Sequence, residues 1–390
     1  MRKVIILTGK PINLQNSGAE IRNFAIAEAL KQDFELTCVS VTTEKSAITD
    51  HPNHFSLTDL KPEKSRSRPK PFSISYTYTE SAVENLYRLV DKISPDLVVA
   101  ETLSCAPYIL KLRQRDIPVI LDMHNDEVEL SKQIEASIPA FRKIRCMRER
   151  YKHHKTEQWQ GDTLAASSHI WCCSQIDANS LTAKEVPPEK ITIIPNPLPG
   201  YFEHILPIYD EIQSRALFVG ALSYPPNHSG IMWFIEKVAP LVRTKVPDFQ
   251  LDIIGRSPRK SLRRAVSSST YVHGHFDVND LTPFYTNTRL CIVPLFEGSG
   301  TRIKILEAAE AGRPIISTTK GAEGIDQSLM KHLLLADNPE RFAEFVCRVI
   351  NDDITNKQFG DKLRQGFERH HSRDLIRGII NADIERIINA

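Results

Sequence analysis

The stretch that most constrains the fold runs from Pro294 to Gly324. It predicts the end of a buried strand, a glycine-rich turn, a helix and a second strand. Gly298 and Gly300 allow the turn to bend sharply and to approach a ligand closely, because neither residue carries a Cβ atom. Gly312 ends the predicted helix, and the proline that follows prevents its continuation. Alternation of strand and helix is typical of α/β proteins.

Polar and charged side chains cluster where this helix is predicted to begin. Ser299 and Thr301 can cap the helix, and its first N–H groups then lie unpaired at the positive end of the helix dipole. Arg302 and Lys304 add positive charge there, which costs stability unless an anion neutralises it. Glu307 follows one turn later. The spacing predicts an anion site, most readily for phosphate, with a carboxylate one turn deeper. An ordinary glycine turn with an exposed ion pair is the alternative.

Length and composition exclude several classes of protein. A chain of 390 residues is too long for one ordinary core and predicts two domains. A formal net charge of +2 argues against a globally basic nucleic-acid binder. No apolar run approaches the ~18 residues of a membrane span. The seven cysteines show no C-x-x-C spacing, which favours reduced, mostly buried thiols and a cytoplasmic location.

The first half of the chain predicts buried strands that alternate with helices. Predicted strands are 4–7, 34–41, 97–100 and 119–122, and predicted helices lie near 19–30, 80–93 and 106–115. Residues 42–78 are polar and rich in proline, which predicts an irregular excursion. His124, with Asn125 and Glu127 beside it, follows the carboxyl end of a strand. Ligands bind at that edge in open α/β sheets, although a purely structural hydrogen bond is the alternative role for a lone histidine.

The second half repeats the alternation. A linker is predicted over 201–214, a strand over 216–219 and a helix over 231–244. His273 and His275 have the i,i+2 spacing of a metal pair on a strand, but no cysteine or carboxylate clearly completes a set, so zinc is a minor alternative. The last helix, over 373–389, carries a broad apolar face that predicts packing against another element.

Three segments carry a resemblance to one family: residues 294–318 (with G-S-G-T-R-I-K-I-L-E-A-A-E-A-G-R-P-I-I-S-T over 298–318), 121–130 and 218–227. The first is similar to the donor-site signature of GT-B glycosyltransferases, specifically family 4-like sugar transferases. The resemblance implies an α/β fold with two Rossmann-like domains facing a cleft. Residues 1–205 would form the acceptor-side domain and 215–372 the nucleotide-sugar donor domain, while a helix over 373–390 would cross back to the first domain.

The same resemblance implies an activity. It implies transfer of a sugar, with retention of configuration, from a nucleotide-sugar to a sugar, lipid-linked or small-molecule acceptor. The chain contains no D-x-D motif, which predicts that neither a metal nor another cofactor is needed. No nucleic-acid partner is expected.

Roles for single residues follow from the resemblance. His124 is expected to contact the donor sugar or a phosphate. Arg302 and Lys304 are expected to stabilise the leaving diphosphate, together with the backbone amides from Thr301 to Ile303. Glu307 is expected to accept hydrogen bonds from the ribose hydroxyls. The other donor-site residues indicated are Gly18, Gly220, Glu297, Ser299, Gly300, His275 and Phe276, of which the last two would stack on the base.

The chain also departs from the family pattern. Family members often place an Arg and a Lys in the loop after Gly220, but the chain has neither before Gly230. Ser299 stands where they often carry a Glu. These departures motivate the alternative of a non-catalytic GT-B subunit that binds nucleotide-sugar or supports a partner transferase. A separate alternative is a different enzyme on the same fold, such as an epimerase or a phosphorylase.

A basic segment is the only sign of a membrane in the sequence. Phe141–Lys155 carries seven Lys or Arg against one Glu. Such a helix can contact anionic lipid head groups, which makes a peripheral location at the inner face of the membrane a minority alternative to a freely cytoplasmic one.

Overall fold

The computed structural model describes residues 1–12, 17–41, 54–57, 79–136, 143–200, 202, 205, 214–298 and 302–389. The chain divides into two compact units. The first unit comprises Met1–Pro199 together with Arg373–Ala390, and the second comprises Gly200–Ser372.

The first unit is built on a parallel sheet of seven strands. They are β1 (Lys3–Thr8), β2 (Glu35–Ser40), β3 (His54–Ser56), β4 (Leu97–Glu101), β5 (Val119–Met123), β6 (His169–Cys172) and β7 (Ile191–Ile193). The helices are α1 (Gly18–Asp33), α2 (Glu80–Ile93), α3 (Ala106–Leu112), α4 (Glu127–Ala136), α5 (Lys143–Ala166) and α6 (Gln175–Thr182). The strand order is β3-β2-β1-β4-β5-β6-β7, so the order reverses beside β1.

The second unit repeats the design with six parallel strands. They are β8 (Arg215–Val219), β9 (Gln250–Gly255), β10 (Val272–Phe276), β11 (Leu290–Val293), β12 (Ile315–Ser317) and β13 (Leu334–Leu335), in the order β10-β9-β8-β11-β12-β13. The helices are α7 (Pro225–Trp233), α8 (Ala239–Lys245), α9 (Lys260–Ser267), α10 (Thr282–Thr286), α11 (Ile303–Glu310), α12 (Gln327–Met330), α13 (Pro339–Asn351) and α14 (Asp353–His371). The order reverses at β8, and a reversal of this kind creates the crevice where α/β sheets bind ligands.

Continuous apolar runs form the central strands because both faces of each sheet are covered. In β1, Ile5 and Leu7 belong to the core on one face of the sheet, whereas Val4 and Ile6 belong to the core on the other. All four side chains are fully buried. This pattern is typical of parallel sheets with helices on both sides and confirms the predicted α/β fold.

The final helix, α15 (Arg373–Ile388), belongs to the first unit. Ile376, Ile380 and Ile384 are fully buried in the core layer that also contains residues of α1. Arg377 donates to Asp33 at the end of α1, with Nη2 2.6 Å from Oδ1. The C-terminal segment therefore returns to the domain in which the chain begins.

Three local predictions need correction. Within the stretch 42–78, which was predicted to be irregular, residues 54–56 form β3 and pair with β2; the rest of that stretch lies outside the described residues. Helix α7 begins at Pro225 rather than at Ile231, because the fixed φ of proline suits the first helical position. Helix α11 begins at Ile303, after the segment 299–301.

Candidate functional site

In the second unit, the loops that follow β8 and β11 meet at the carboxyl edge of the sheet. Gly220 is the first residue after β8, and Lys304 lies in the first turn of α11. The Lys304 ammonium donates to Asn227 Oδ1 at 2.8 Å. A Cβ atom on Gly220 would lie 2.8 Å from Asn227 Nδ2 and 2.9 Å from Lys304 Nζ, so a side chain there would displace both groups. Gly220 therefore permits this contact.

The environment of Lys304 disfavours its charge. Burial lowers the pKa of the ammonium, the nearby Arg302 lowers it further, and Glu307 only partly opposes them, which leaves the pKa at about 7. The ammonium also lies 4.6 Å from the centre of the Phe218 ring. A cation held in this way gains stability from any anion that reaches it.

Arg302 occupies the N-cap position of α11, with extended backbone and no side-chain cap. Ser299 and Thr301, which the sequence predicts as caps, precede this position and lie outside the described residues, so their capping role stays a prediction. The Arg302 side chain is buried, with 8% of its surface exposed. Burial lowers its pKa, and Tyr224 and Glu323 partly offset the effect. Gly300, like Ser299 and Thr301, lies outside the described residues.

The turn before α11 needs glycine at one described position. Gly298 has φ +98°, in the region that glycine alone adopts without strain. Glu297 beside it is exposed, and its carbonyl oxygen lies 3.5 Å from Arg302 Nη2. Ile303 provides the first helical residue. The turn thus brings Arg302 and Lys304 to the same end of the helix.

One turn further along α11, Glu307 is buried and held by Tyr285. The Tyr285 hydroxyl donates to Glu307 Oε2 at 2.9 Å. Arg313 in turn fixes the backbone of this tyrosine, since Nε donates to the Tyr285 carbonyl oxygen at 2.7 Å. Burial raises the pKa of Glu307, while Tyr285 and Lys304 oppose the rise. The result is an oriented carboxylate behind two cations.

The rings that were predicted to stack on a base are already engaged by protein groups. His275 Nε2 lies 2.8 Å from Asp252 Oδ1, and its ring centre is 4.8 Å from that of Phe284. Phe276 lies beneath the Arg263 guanidinium, at 4.9 Å. His275 and His273 hydrogen-bond separately to residues of β9, since His273 Nε2 lies 2.6 Å from Gln250 Oε1. The base-stacking role stays a prediction.

In the first unit, a buried arginine organises the strand ends near His124. Arg22 on α1 donates through Nε and Nη2 to both oxygens of Asp122, at 2.9 and 2.6 Å. Its Nη1 donates to the carbonyl oxygen of Ile194 and to Asn196 Oδ1, both at 2.9 Å. Burial alone would raise the pKa of Asp122, but Arg22 and His124 hold it well below its usual range.

His124 lies directly beside this pair. Its Nε2 is 3.3 Å from Asp122 Oδ2 and 3.7 Å from Glu101 Oε2. Glu101, the last residue of β4, is 1% exposed, and neither of its oxygens has a hydrogen-bond partner among the described residues. Burial, and then the charge of Asp122, raise the pKa of Glu101 well above its ordinary value, with Arg22 opposing. The surroundings of Glu101 therefore favour the neutral acid over the carboxylate.

These three residues also have the spacing of metal ligands, but their surroundings do not suit a cation. Among the described residues, Glu101, Asp122 and His124 form one group whose ligand atoms lie within 4.8 Å of one another. Both Asp122 oxygens already accept hydrogen bonds from Arg22. A divalent ion would therefore compete with a full positive charge that is bonded to one of its ligands.

Other residues indicated by the sequence lie near the ends of strands or in helix starts. Gly18 is the first residue of α1, whose N-cap is Ser17. Glu127 begins α4, and burial together with Asp126 raises its pKa to about 7.

Reasoning from the sequence missed Arg22, Glu101, Asn227 and Tyr285. For Glu101, its place directly after the apolar run of β4 was an available signal.

The basic segment Phe141–Lys155 is described only in part, since residues 141 and 142 and several side chains of early α5 lie outside the described residues. Met147 and Tyr151 on α5 are exposed. Within the part of the chain that the structure describes, no helix combines the length and the apolar character that a membrane crossing requires.

Two family models match the chain and together cover most of it. The one described as Glycosyltransferase Family 4 matches residues 16–199. The one described as Glycosyl transferases group 1 matches residues 213–352. A curated relative, an uncharacterized 44.6 kDa protein in the cps region of Klebsiella pneumoniae, is 28% identical over 146 residues. That alignment covers 35% of this chain and 37% of the relative, so the chain spans little more than a third of the relative's length.

Solved structures resemble the whole chain at low sequence identity. Sucrose-phosphate synthase from Thermosynechococcus elongatus has a TM-score of 0.74 and 14% identity, with full coverage of both chains. WaaG, a glycosyltransferase involved in lipopolysaccharide biosynthesis, has a TM-score of 0.66 and 12% identity, covering 98% of this chain and 99% of WaaG. Anabaena HepE in complex with UDP has a TM-score of 0.66 and 11% identity, covering 99% and 100%. At such identities the likeness concerns the fold.

Proposed function

Because the chain belongs to the group 1 glycosyltransferases of GT-B fold, we propose that it transfers a sugar from a nucleotide-sugar to an acceptor, with retention of configuration and without a metal ion. One observation carries the proposal. Arg302 and Lys304 lie at the N-terminal end of α11, one turn from a buried carboxylate, Glu307, that Tyr285 orients. Two cations and an oriented carboxylate at that spacing suit a diphosphate linked to a ribose.

The proposed chemistry places the developing negative charge of the leaving nucleoside diphosphate at α11. Lys304 and Arg302 would stabilise this charge, together with the free N–H groups of the first helical turn. Both cations are already in position, since Lys304 is held by Asn227 and Arg302 is largely buried. The positions therefore need little reorganisation during the reaction.

The nucleoside would be recognised by Glu307. One carboxylate oxygen, Oε2, accepts from Tyr285, so Oε1 and the remaining lone pair of Oε2 are the acceptors for the two ribose hydroxyls. We propose His275 and Phe276 for the base, and Gly18, Gly220 and Glu297 for contacts to the donor. His124, held beside Asp122 in the first unit, is our candidate for the contact with the sugar or a phosphate.

Thermal unfolding against a panel of UDP, GDP, ADP, dTDP and their sugars tests the donor site. UDP comes first because HepE, a structural neighbour, binds it. A ligand at 100 times its dissociation constant stabilises the native state by about 2.7 kcal/mol. Glu307→Gln retains an acceptor for Tyr285 but loses the charge, so we expect the ligand-induced shift, measured from the variant's own unliganded midpoint, to be lost. Glu236→Ala, at an exposed position of the same unit, is the control.

Transfer itself is tested by incubating the protein with the donor that binds and an acceptor library, with EDTA present. Sugar transfer, or slow donor hydrolysis, supports the enzyme. Binding of the donor without transfer or hydrolysis would favour the alternative of a non-catalytic GT-B subunit, which the absence of Arg and Lys between Gly220 and Gly230 motivates.

We further propose a cytoplasmic location and a sugar, lipid-linked or small-molecule acceptor.

A further inference from the structure

The loop after β8 lacks the basic residues that the family resemblance implies, yet it contacts the ammonium group of Lys304. The segment between Gly220 and Gly230 contains no Arg or Lys. It does contain Asn227, in the first turn of α7, and the side-chain oxygen of this residue accepts a hydrogen bond from the Lys304 ammonium. The two residues are 77 positions apart in the chain. The positive charge beside this loop therefore belongs to Lys304 of α11 and not to a residue of the loop.

The orientation of the Asn227 amide is determined by a second hydrogen bond. Its Nδ2 donates to the Ala221 carbonyl oxygen at 3.0 Å. A carbonyl oxygen can only accept, so the nitrogen of the amide must face Ala221 and the oxygen must face Lys304. Asn227 is 7% exposed, so both hydrogen bonds lie largely out of reach of solvent. The amide oxygen is therefore held at one place.

The chemistry of this acceptor decides what the ammonium can still do. An amide oxygen accepts a hydrogen bond but carries no net charge, so the positive charge of Lys304 is not neutralised. A carboxylate of the same shape would form an ion pair with Lys304 and would compete with an incoming anion. The Phe218 ring supplies the other contact, and it too is uncharged.

We propose that Asn227 is a positioning residue: it holds the Lys304 ammonium where the donor diphosphate binds and leaves its charge available to that diphosphate. This inference rests on the proposed function in the identity of the anion. Lys304 has a pKa of about 7, so diphosphate binding above that pH requires the ammonium to gain a proton. Asn227 is then one of the groups that determine the pH at which binding begins to weaken.

Charged and titratable groups from several elements affect Lys304 besides its amide partner. Arg302 at the end of the preceding turn lowers its pKa, and Glu307 on the same helix raises it. Arg302 stays charged throughout the neutral range, because arginine does not deprotonate there. Tyr285 keeps its proton, since burial and Glu307 raise its pKa well above the ordinary value. These groups are the same in every variant used below.

The test compares UDP affinity between pH 5 and 9 by calorimetry in wild type, Asn227→Asp and Asn227→Leu. Asn279→Asp, exposed in the same unit, is the matched control. In the wild type we expect the dissociation constant to rise about tenfold per pH unit above the pKa of Lys304. Asn227→Asp should weaken UDP binding at least tenfold at pH 7 and move the start of the pH dependence upward. Asn227→Leu, which removes the acceptor, should move it downward.

If the pH at which UDP binding begins to weaken moves up in one variant and down in the other, a positioning role is supported. A merely structural loss would move that pH in the same direction in both variants. Equal pH dependence in all four proteins, or wild-type affinity in Asn227→Asp, would overturn the proposal. If UDP and the other nucleotides fail to bind the wild type, the proposed function fails instead. The lysine is then observed directly: in the unliganded protein, NMR titration of the Lys304 side chain must show a higher pKa in Asn227→Asp and a lower one in Asn227→Leu.

Discussion

Replacing Arg22 by Met should strongly destabilise the first unit. Arg22 is 1% exposed and donates four hydrogen bonds, two of them to Asp122, which has no exposed surface. Its removal leaves the Asp122 carboxylate in the interior without its bidentate guanidinium partner, and His124 alone then opposes the effect of burial on its pKa. His124 and Glu101, whose ligand atoms lie within 4.8 Å of those of Asp122, would stay in place.

The size of the destabilisation follows from the cost of keeping the Asp122 carboxylate buried without its arginine partner. Removing one partner of a buried ion pair costs about 3–5 kcal/mol. The carbonyl oxygen of Ile194 and the side-chain oxygen of Asn196 lose their donor as well, which favours the upper end of that range. The loss should also depend on pH. Without Arg22, the pKa of Asp122 rises in the folded state, so its protonation at low pH restores part of the stability, and the deficit grows as pH increases from 5 to 7.

Urea unfolding at pH 5 and 7 measures both effects. Trp171 on β6 is fully buried and its Nε1 donates to Asp383, so its fluorescence reports on the first unit. The informative comparison is the double variant Arg22→Met/Asp122→Asn, which has no abandoned charge and should recover a large part of the loss. Arg113→Met, at an exposed position, is the control. A double variant as unstable as Arg22→Met alone would refute the argument from charge, since lost packing would then explain the effect.

Further predictions concern both units. Burial and the charge of Asp122 raise the pKa of Glu101 in the folded state. Its contribution to stability is therefore complete below its unfolded pKa and declines as pH rises toward its folded pKa, so Glu101→Gln should remove that decline in urea titrations between pH 5 and 8. Lys304 has a lowered pKa of about 7, so the unfolded state binds more protons above that pH; stability should therefore rise between pH 7 and 9, and Lys304→Met should lose this rise. Tyr285→Phe leaves Glu307 without its donor and should raise the donor KM several-fold with a smaller change in kcat, measured by initial rates. Ile380→Ala on α15 should cost about 2–5 kcal/mol in urea unfolding followed through the first unit, because the side chain is fully buried.

Local pattern was enough to identify the fold and part of the candidate site. Continuous apolar runs predicted buried parallel strands, since hydrophobic periodicity is a property of neighbouring residues. The stretch after β11 predicted a glycine turn, two cations and a carboxylate on one helix, and Gly298, Arg302, Lys304 and Glu307 have those positions. The apolar face of the last helix likewise predicted its burial. Such features are encoded within one or two turns of helix or strand.

Partners across the chain were decided only by the tertiary structure. A sequence with arginine on a helix usually indicates a solvated face, yet Arg22 is buried because Asp122, 100 residues away, lies within hydrogen-bond distance. Asn227 and Lys304 meet only because the loops after β8 and β11 share one sheet edge. The physical reason is the same in both cases. Hydrophobic patterning acts along the local chain, whereas the cost of burying a polar group depends on whether the fold brings it a partner.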